Sequence, residues 1–295
     1  MIDPKIRTLV TLSELGSYTK TAEALSLTQP AVSHHIRLLE QEFGISIFVK
    51  GKRKLKPTPE GVILLKFAHR AIALSQKVHQ EIDDYRREAR SLTVGITPTA
   101  SDILVPQVLA AYCNQHPKVR IQIVRGTIKK IDSMLRFYEI DFAIVDGMIK
   151  NSTSRSILLG TDYLCLVVAP DHPFARRQSV TLEEMRQEKL VLRLKNAETR
   201  KLFEGYLYSH GYSLADFHVM MEIDSVSTIK EIVAANLGIS VISHSVCREE
   251  ERRGELVVVP IENCRMLREI NLIYPEDFPY PEMLQELHAE YAKRQ

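Results

Sequence analysis

The sequence contains no apolar run long enough to cross a membrane. Its longest apolar tracts are short, such as residues 164–169 and 257–259, whereas a membrane-spanning helix needs about 20 consecutive apolar residues. Residues 1–12 also lack a basic segment followed by an apolar core, because Asp3 and Arg7 interrupt the stretch in which that core would lie. These absences exclude an integral membrane protein and predict a cytoplasmic location.

Cysteine is sparse, and its spacing excludes two classes of site. Cys113, Cys165, Cys247 and Cys264 lie far apart and form no CxxC pair, so neither a zinc knuckle nor a thioredoxin motif is present. Cys165 lies within an apolar run, where burial would raise the pKa of its thiol and oppose a peroxide-sensing role. We therefore expect reduced thiols.

Catalytic motifs are missing as well. The sequence contains no GxSxG, GxGxxG, Walker loop or HExxH motif, and its ten histidines show no metal-ligand spacing with cysteines or carboxylates. We therefore expect no enzyme activity, no cofactor and no metal.

The distribution of charge points to a polyanionic partner. The 295 residues exceed one average domain, and 45% of them are hydrophobic, which is enough for packed cores. Residues 1–90 hold 15 Lys and Arg against 10 Asp and Glu, a net charge of +5, whereas the remainder has a net charge of −3. The N-terminal segment is therefore expected to face the polyanion.

Two patterns divide the chain near residue 90. Residues 1–90 are almost wholly of helical character, whereas short β-branched runs alternate with amphipathic helical stretches after Ser91. This alternation is typical of βαβ units and a parallel sheet. It is long enough for two small α/β lobes, and the late strand at residues 269–274 could return to the first lobe.

Two helical patterns separated by a tight turn at Ser26 and Leu27 lie within residues 18–40. In the second, Val32, Ile36 and Leu39 recur at helical spacing and are predicted to face inward. The opposite face of this helix is polar. Thr28 is suited to the N-cap, and Pro30 lies in the first turn, where a proline is tolerated. A helix of this kind lies in the major groove in helix-turn-helix proteins. The candidate DNA-binding residues here are Thr28, Gln29, Pro30, Ser33, His34 and Arg37.

A basic hairpin is predicted directly after this helix. Residues 45–49 and Leu55 bracket a glycine-centred turn, and five Lys or Arg residues crowd into residues 50–56. A solvated charge run is the alternative interpretation. The position after a recognition helix favours phosphate or minor-groove contact by Lys52, Arg53 and Lys54.

A long helix is predicted to begin at residues 58–61, Thr-Pro-Glu-Gly, which combine an N-cap, a first-turn proline and an early carboxylate. An apolar stripe then runs over roughly 30 residues, or about 45 Å of helix. Packing against its own domain is one explanation, and a second subunit is the favoured one. A dimer would place two DNA-binding domains on the two halves of an interrupted dyad. The candidate dimerisation residues are Leu64, Phe67, Ala71, Leu74 and Val78.

The run TAEALSLTQPAVS at residues 21–33 resembles the helix-turn-helix signature of LysR-type transcriptional regulators. Phe48 and residues 58–61 fit the wing and linker helix of that family. Three further segments, DFAI at 141–144, APDHP at 169–173 and GISVI at 238–242, resemble landmarks of its sensor domain. The resemblance spans essentially the whole chain.

The resemblance implies an α/β protein with three parts. These are a winged helix-turn-helix over residues 1–58, a dimerising linker helix over 59–90, and an effector-binding domain over 91–295. The last part would have two Rossmann-like lobes similar to periplasmic binding proteins. Lobe I would comprise about residues 91–161 and 268–295, and lobe II about 162–267. Family members usually assemble as a dimer of dimers, a homotetramer.

One position departs from the family pattern. His34 stands where many members carry arginine, which implies a weaker or pH-sensitive contact with DNA at that point.

Hydroxyl side chains in loops between strands and helices are the candidate effector ligands, because such loops in α/β lobes bind ligands and favour anions. Thr97 and Thr99 of this sequence resemble anion-contacting residues at the matching positions in the sulfur-assimilation branch of the family. Helix capping is the alternative for each hydroxyl. The candidates are Thr97, Thr99, Ser101 and Thr127 in lobe I, and Asn196, Thr199, Ser225 and Ser227 in lobe II. Arg125, Arg193 and Lys195 would offset ligand charge or lie on the surface.

These features predict a sequence-specific transcriptional regulator controlled by a small anionic effector, such as a carboxylate or an oxyanion. Its partners would be promoter DNA with an interrupted dyad and further copies of itself, with RNA polymerase as a candidate partner. A regulator without a ligand is the main alternative. A solute-binding receptor is a weaker one, because the DNA-binding head would then have no use.

Overall fold

The computed structural model describes residues 2–50, 55–101, 105–149 and 154–294. The chain divides into two compact units. The first contains Met1–Ser91 with Lys118–Arg120 and Met134–Ile140, and the second contains Leu92–Pro117, Ile121–Ser133 and Asp141–Gln295. Among the described helices, none is long and apolar enough to cross a bilayer.

The N-terminal part of the first unit, up to residue 86, is built from four helices and a two-stranded hairpin among its described residues. Its elements in chain order are α1 (Pro4–Leu15), α2 (Tyr18–Leu25), α3 (Gln29–Phe43), β1 (Phe48–Lys50), β2 (Leu55–Pro57) and α4 (Pro59–Arg86). The predicted inward face of α3 is confirmed, because Val32, Ile36 and Leu39 are buried. The last two join Leu9, Leu12 and other side chains of α1, β1 and α4 in one core. The predicted hairpin is confirmed as the antiparallel pair β1–β2.

The junction between the hairpin and α4 explains the Thr-Pro-Glu-Gly sequence. Thr58 caps α4 by accepting a hydrogen bond from the backbone N–H of Gly61 at 2.9 Å, and its hydroxyl donates to the carbonyl of Ser46 at 2.6 Å. A Cβ on Gly61 would lie 2.1 Å from the carbonyl oxygen of Ile47, a separation that no side chain tolerates. The threonine and the glycine therefore fix the start of α4 against the hairpin.

The two faces of α4 have different environments. Leu65, Ala68 and Ala73 are buried. Most of the predicted stripe is exposed, namely Phe67, Ala71, Leu74, Val78, Ile82 and Tyr85. Leu64, the first residue of the predicted stripe, is half-buried and packs partly against the core of its own unit.

The second unit follows the predicted βα alternation and contains two lobes. Its elements are β3 (Arg90–Ile96), α5 (Pro98–Ser101), α6 (Val105–Gln115), β4 (Val119–Arg125), α7 (Ile128–Arg136), β5 (Phe142–Asp146), β6 (Ser154–Val168), α8 (Leu182–Met185), β7 (Lys189–Arg193), α9 (Glu198–Ser209), β8 (His218–Ile223), α10 (Val226–Ala234), β9 (Ser240–Ser243), α11 (Arg248–Arg252), β10 (Val257–Val259), β11 (Leu267–Pro275) and α12 (Pro281–Ala292). Short 3₁₀ turns lie at Pro173–Arg176, Leu214–Asp216 and His244–Val246.

The sheets are mixed, because they combine the predicted parallel pairs with antiparallel ones. In lobe I the strand order is β6-β11-β5-β3-β4, where β3 and β5 are parallel but β11 is antiparallel to both of its neighbours. In lobe II, β7 and β8 are parallel, whereas β9 and β10 run antiparallel to β6. The late strand does return to lobe I, where it occupies the middle of the sheet.

Strand β6 extends through both lobes. Its first part, residues 154–163, pairs with β11 in lobe I, and its second part, residues 164–168, pairs with β9 and β10 in lobe II. The sequence predicted only the second part, because residues 154–163 hold a single short apolar run, at residues 157–159, which is followed by Gly160 and polar residues. The chain therefore passes between the lobes twice, through β6 and through β11.

Candidate functional site

A cavity of about 410 Å³ lies in the second unit, where loops of the two lobes meet. Its volume is within the range of small-molecule sites. Lobe I contributes the loops after β3, β4 and β5, and lobe II contributes the loops after β7 and β8. The lining residues are Thr97, Pro98, Thr99, Arg125, Gly126, Thr127, Ile128, Lys130, Asp146, Arg193, Asn196, Ala197, Glu198 and Asp224.

Two lobe I threonines differ in what their hydroxyls contact. Thr97 is buried, and its Oγ1 accepts a hydrogen bond from the backbone N–H of Asp146 at 3.2 Å. Thr99 is 5% exposed, and no residue described by the structure hydrogen-bonds its side chain. Because a buried hydroxyl is costly without a partner, Thr99 is suited to bind an occupant of the cavity.

The other two lobe I candidates take part in local hydrogen bonds. The Thr127 hydroxyl accepts from the backbone N–H of Lys130 at 3.3 Å, so it caps α7 while also lining the cavity. The Ser101 hydroxyl donates to the carbonyl of Pro98 at 2.6 Å, and Ser101 is not on the cavity wall.

In lobe II, only Asn196 among the predicted hydroxyl and amide residues lines the cavity. The Thr199 hydroxyl accepts from Nη1 of Arg268 at 3.1 Å. Ser225 caps α10 by accepting from the N–H of Thr228, and its hydroxyl contacts that of Ser227 at 2.8 Å. All three hydroxyls have hydrogen-bond partners in the protein, and those of Ser225 and Ser227 are exposed.

Charged residues occupy the lobe II wall instead. Arg193 is 2% exposed, and its Nη2 lies 3.3 Å from Oδ1 of Asp224. Arg200 supports it from below, since its Nη1 donates to the carbonyl of Arg193 while its Nη2 contacts Glu222 at 2.9 Å. The sequence left Arg193 open between ligand and surface roles, and its burial on the cavity wall favours the first.

A buried ion-pair network connects the cavity with the chain crossings between the lobes. Nη1 of Arg268, on β11, donates to Oδ2 of Asp146 at 2.7 Å, and its Nη2 lies 3.3 Å from Oδ2 of Asp162 on β6. Nη2 also contacts the hydroxyl of Ser243 in lobe II. Sequence reasoning missed this network. The available signal was Asp146, a carboxylate directly after the apolar run at residues 142–145.

The network also sets the ionisation of its acidic member on β6. Burial favours the neutral form of Asp162, but the Arg268 guanidinium and the hydroxyls of Ser243 and Ser245 outweigh it and lower the pKa of the carboxyl below its usual value. Asp162 therefore remains charged and fixes the guanidinium between the lobes.

The polar face of α3 forms the second candidate site. Thr28 caps the helix by accepting from the N–H of Ala31 at 3.3 Å, as predicted. Nε2 of Gln29 donates to Oγ of Ser33 at 3.1 Å. Gln29, Pro30, His34 and Arg37 are exposed and Ser33 is half-buried. The wing candidates Lys52, Arg53 and Lys54 lie outside the described residues.

Two cysteines that are far apart in sequence are neighbours in the fold. Sγ of Cys165 lies 4.0 Å from Sγ of Cys247, and both residues are buried. The contact with Cys247 and burial raise the pKa of the Cys165 thiol, the direction predicted from its apolar run. Among the described residues, no group of three or more His, Cys, Asp or Glu is placed to hold a metal ion.

Models of two protein domains match the chain. Residues 5–62 match the bacterial regulatory helix-turn-helix protein model of the lysR family, and residues 86–294 match the LysR substrate binding domain. The probable RuBisCO transcriptional regulator of Cyanophora paradoxa is 27% identical over 273 residues, which are 91% of this chain and 84% of that protein.

Solved structures share the fold at low sequence identity. Full-length CbnR complexed with its target DNA has a TM-score of 0.68 and 16% identity, and the match covers 100% of each chain. The regulatory domain of CcmR from Synechocystis PCC6803, in complex with 2-PG, has a TM-score of 0.60 and 20% identity, and the match covers 69% of this chain and 96% of that one.

Proposed function

Because the chain belongs to the LysR family of bacterial regulatory helix-turn-helix proteins, we propose that it reads an interrupted dyad in promoter DNA and responds to a small anion bound in its cavity. The family is one of DNA-binding transcriptional regulators with an effector-binding domain. A regulator needs no catalytic step, and we propose that this chain performs none and acts in the cytoplasm.

The exposed polar face of α3 supports the proposed DNA contacts. Gln29 and Ser33 lie one turn apart near the N-terminal end of the helix, the part that reaches base edges in helix-turn-helix proteins. Arg37 lies one turn further along and is suited to a phosphate. CbnR, which shares the fold, is complexed with its target DNA in its structure.

The exposed stripe of α4 supports assembly with a second copy. Phe67, Leu74 and Val78 are 59%, 47% and 54% exposed and lie on one side of the helix. An apolar stripe of this length is typical of a helix that pairs with another subunit. We propose a dimer through this stripe, and a dimer of dimers as the full assembly.

A charge on the stripe should therefore dissociate the subunits. We expect Leu74→Asp to shift the protein toward monomers in sedimentation, because the carboxylate would be buried in an apolar seam. Gln76→Asp is the matched control, since Gln76 is exposed on the other side of the same helix. Leu74→Asp protein that sediments as the wild type does would contradict the proposed seam.

The cavity supports an anionic effector, and the observation that carries this proposal is that the buried Arg193 of lobe II and the unpartnered Thr99 hydroxyl of lobe I line the same cavity. An anion between them would contact a cation and a hydroxyl donor that are both already placed. The CcmR regulatory domain, which shares the fold, was solved with 2-PG.

The experiment that tests the effector uses the full chain. Melting curves are measured with 2-PG, inorganic phosphate and a panel of carboxylates, because a ligand that binds only the folded state raises the melting temperature by mass action. Each hit is then added to a footprint on promoter DNA. A ligand that stabilises the protein and alters the footprint supports the proposal. A footprint that no stabilising anion changes would favour a regulator without a ligand.

A further inference from the structure

One carboxylate on the cavity wall, that of Asp146, differs from the others in its burial and hydrogen bonding. Asp146 is 3% exposed, and its Oδ2 is held by Nη1 of Arg268 at 2.7 Å. Its backbone N–H donates a hydrogen bond to Oγ1 of Thr97. No residue that the structure describes donates a hydrogen bond to its second oxygen, Oδ1. A carboxylate oxygen can accept two hydrogen bonds, so Asp146 has unused acceptor capacity at the wall.

The other two carboxylates of the wall do not share this setting. Oε1 of Glu198 lies 2.5 Å from Nζ of Lys201, and Oδ1 of Asp224 lies 3.3 Å from Nη2 of Arg193. Their side chains are 33% and 72% exposed, so water screens their charge and satisfies their oxygens. Asp146 is thus the buried acid among the cavity-lining residues.

A purely anionic ligand fits this wall poorly. Its lone pairs would face Oδ1 of Asp146, and like charges at short distance repel more strongly at a buried group than in bulk water. A ligand that carries a hydrogen-bond donor near its anionic group would form a charge-assisted bond with the same oxygen. Thr99 and Arg193, which line the same cavity, would hold the anionic group.

We propose that the effector carries a hydroxyl or an ammonium group beside its anionic group, and that Asp146 accepts a hydrogen bond from this donor. The inference rests on the proposed function, since it names the ligand class of the same cavity. Hydroxy acids, amino acids and hydroxylated phosphate esters share this chemistry.

Pairs of ligands that differ only in the donor test the proposal. Calorimetry on the full chain compares malate and aspartate with succinate, lactate with propionate, and glycerol 3-phosphate with propyl phosphate. We expect the donor-bearing member of the best-bound set to bind about 10- to 100-fold more tightly, the range of a hydrogen bond to a charged group. Malate and aspartate distinguish a hydroxyl from an ammonium donor.

Two variants assign the effect to Asp146. Asp146→Asn removes the charge and offers an amide, so the preference for the donor-bearing member should fall to about 1. Glu198→Gln is the matched control, because it removes one negative charge from the same wall and should leave the preference unchanged. The melting temperature of each free variant is measured beside its affinities. The wild-type comparison stands even where Asp146→Asn is unstable.

The two proposals fail in different ways. Equal affinity within every set that binds would overturn the donor requirement and leave the anionic effector intact. A preference that survives in Asp146→Asn but is lost in Glu198→Gln would also overturn the role of Asp146. Absence of binding by every member would overturn the anionic effector and the donor requirement together.

Discussion

The two lobes contain similar loops between strands and helices, yet they line the cavity with different chemistry. In lobe I, Thr97, Thr99 and Thr127 reach the wall. In lobe II, Thr199 and Ser225 are engaged by Arg268 and by the start of α10, and the wall is formed largely by charged side chains such as Arg193. A hydroxyl before a helix can therefore serve either the fold or a ligand. Thr97 and Thr127 line the cavity although each accepts a backbone hydrogen bond, whereas the Thr99 hydroxyl has no partner among the described residues.

The difference between the lobes predicts that loss of Arg193, the buried cation of lobe II, should have the largest effect on effector binding. We expect Arg193→Met to weaken effector binding by about 10- to 100-fold, because a buried cation that could form a charge-assisted hydrogen bond with the anion is lost. The measurement is calorimetric affinity for the effector found by the melting screen. Arg125→Met is the control, since Arg125 lines the same cavity but is exposed. Equal losses in the two variants would show that only net charge matters.

An intermediate effect on effector binding is expected from substitution of a buried threonine, and Thr99 of lobe I and Thr199 of lobe II should respond differently. Thr99→Val should weaken effector binding by about 3- to 10-fold and leave the melting temperature of the free protein unchanged, because its hydroxyl has no partner among the described residues. Thr199→Val should lower the melting temperature, since Arg268 loses a buried acceptor. Affinity and melting temperature are both measured for each variant. Equal changes in affinity and in melting temperature for the two variants would contradict the proposed difference between the lobes.

The smallest effect on binding is expected at the lobe II cap. Ser225→Ala removes the N-cap of α10, which costs about 1 kcal/mol of stability and lowers the melting temperature by about 2–4 °C. Effector affinity should stay within twofold of the wild type. A large loss of affinity with an unchanged melting temperature would place Ser225 in the ligand site.

Sequence pattern predicted the elements well wherever local signals were sufficient. Val32, Ile36 and Leu39 identified the buried face of α3, and Thr28 identified its cap. The order of strands could not be predicted in the same way. Pairing of β11 between β5 and β6 depends on contacts across more than 100 residues, and no local periodicity reports them.

The candidate site was predicted only in part for a related reason. Loop position identified Thr97, Thr99, Thr127 and Asn196, all of which line the cavity. It could not separate them from Ser101 or Thr199, whose partners are a nearby carbonyl and a distant arginine. Asp146 was missed because a carboxylate at the end of a buried strand gains meaning only when Arg268 is known to lie beside it.

The central position of β11 also affects the order in which the protein can be assembled. Strand β5 ends at Asp146 and β6 begins at Ser154, but the strand that lies between them is made only with Leu267–Pro275. Translation proceeds at roughly 5–20 residues per second, so on the order of ten seconds of synthesis separate the outer strands from the central one. During that interval the facing edges of β5 and β6 have open backbone groups, which are a template for pairing with other chains. Lobe II, whose strands all lie within residues 164–259, can form on the ribosome before lobe I closes.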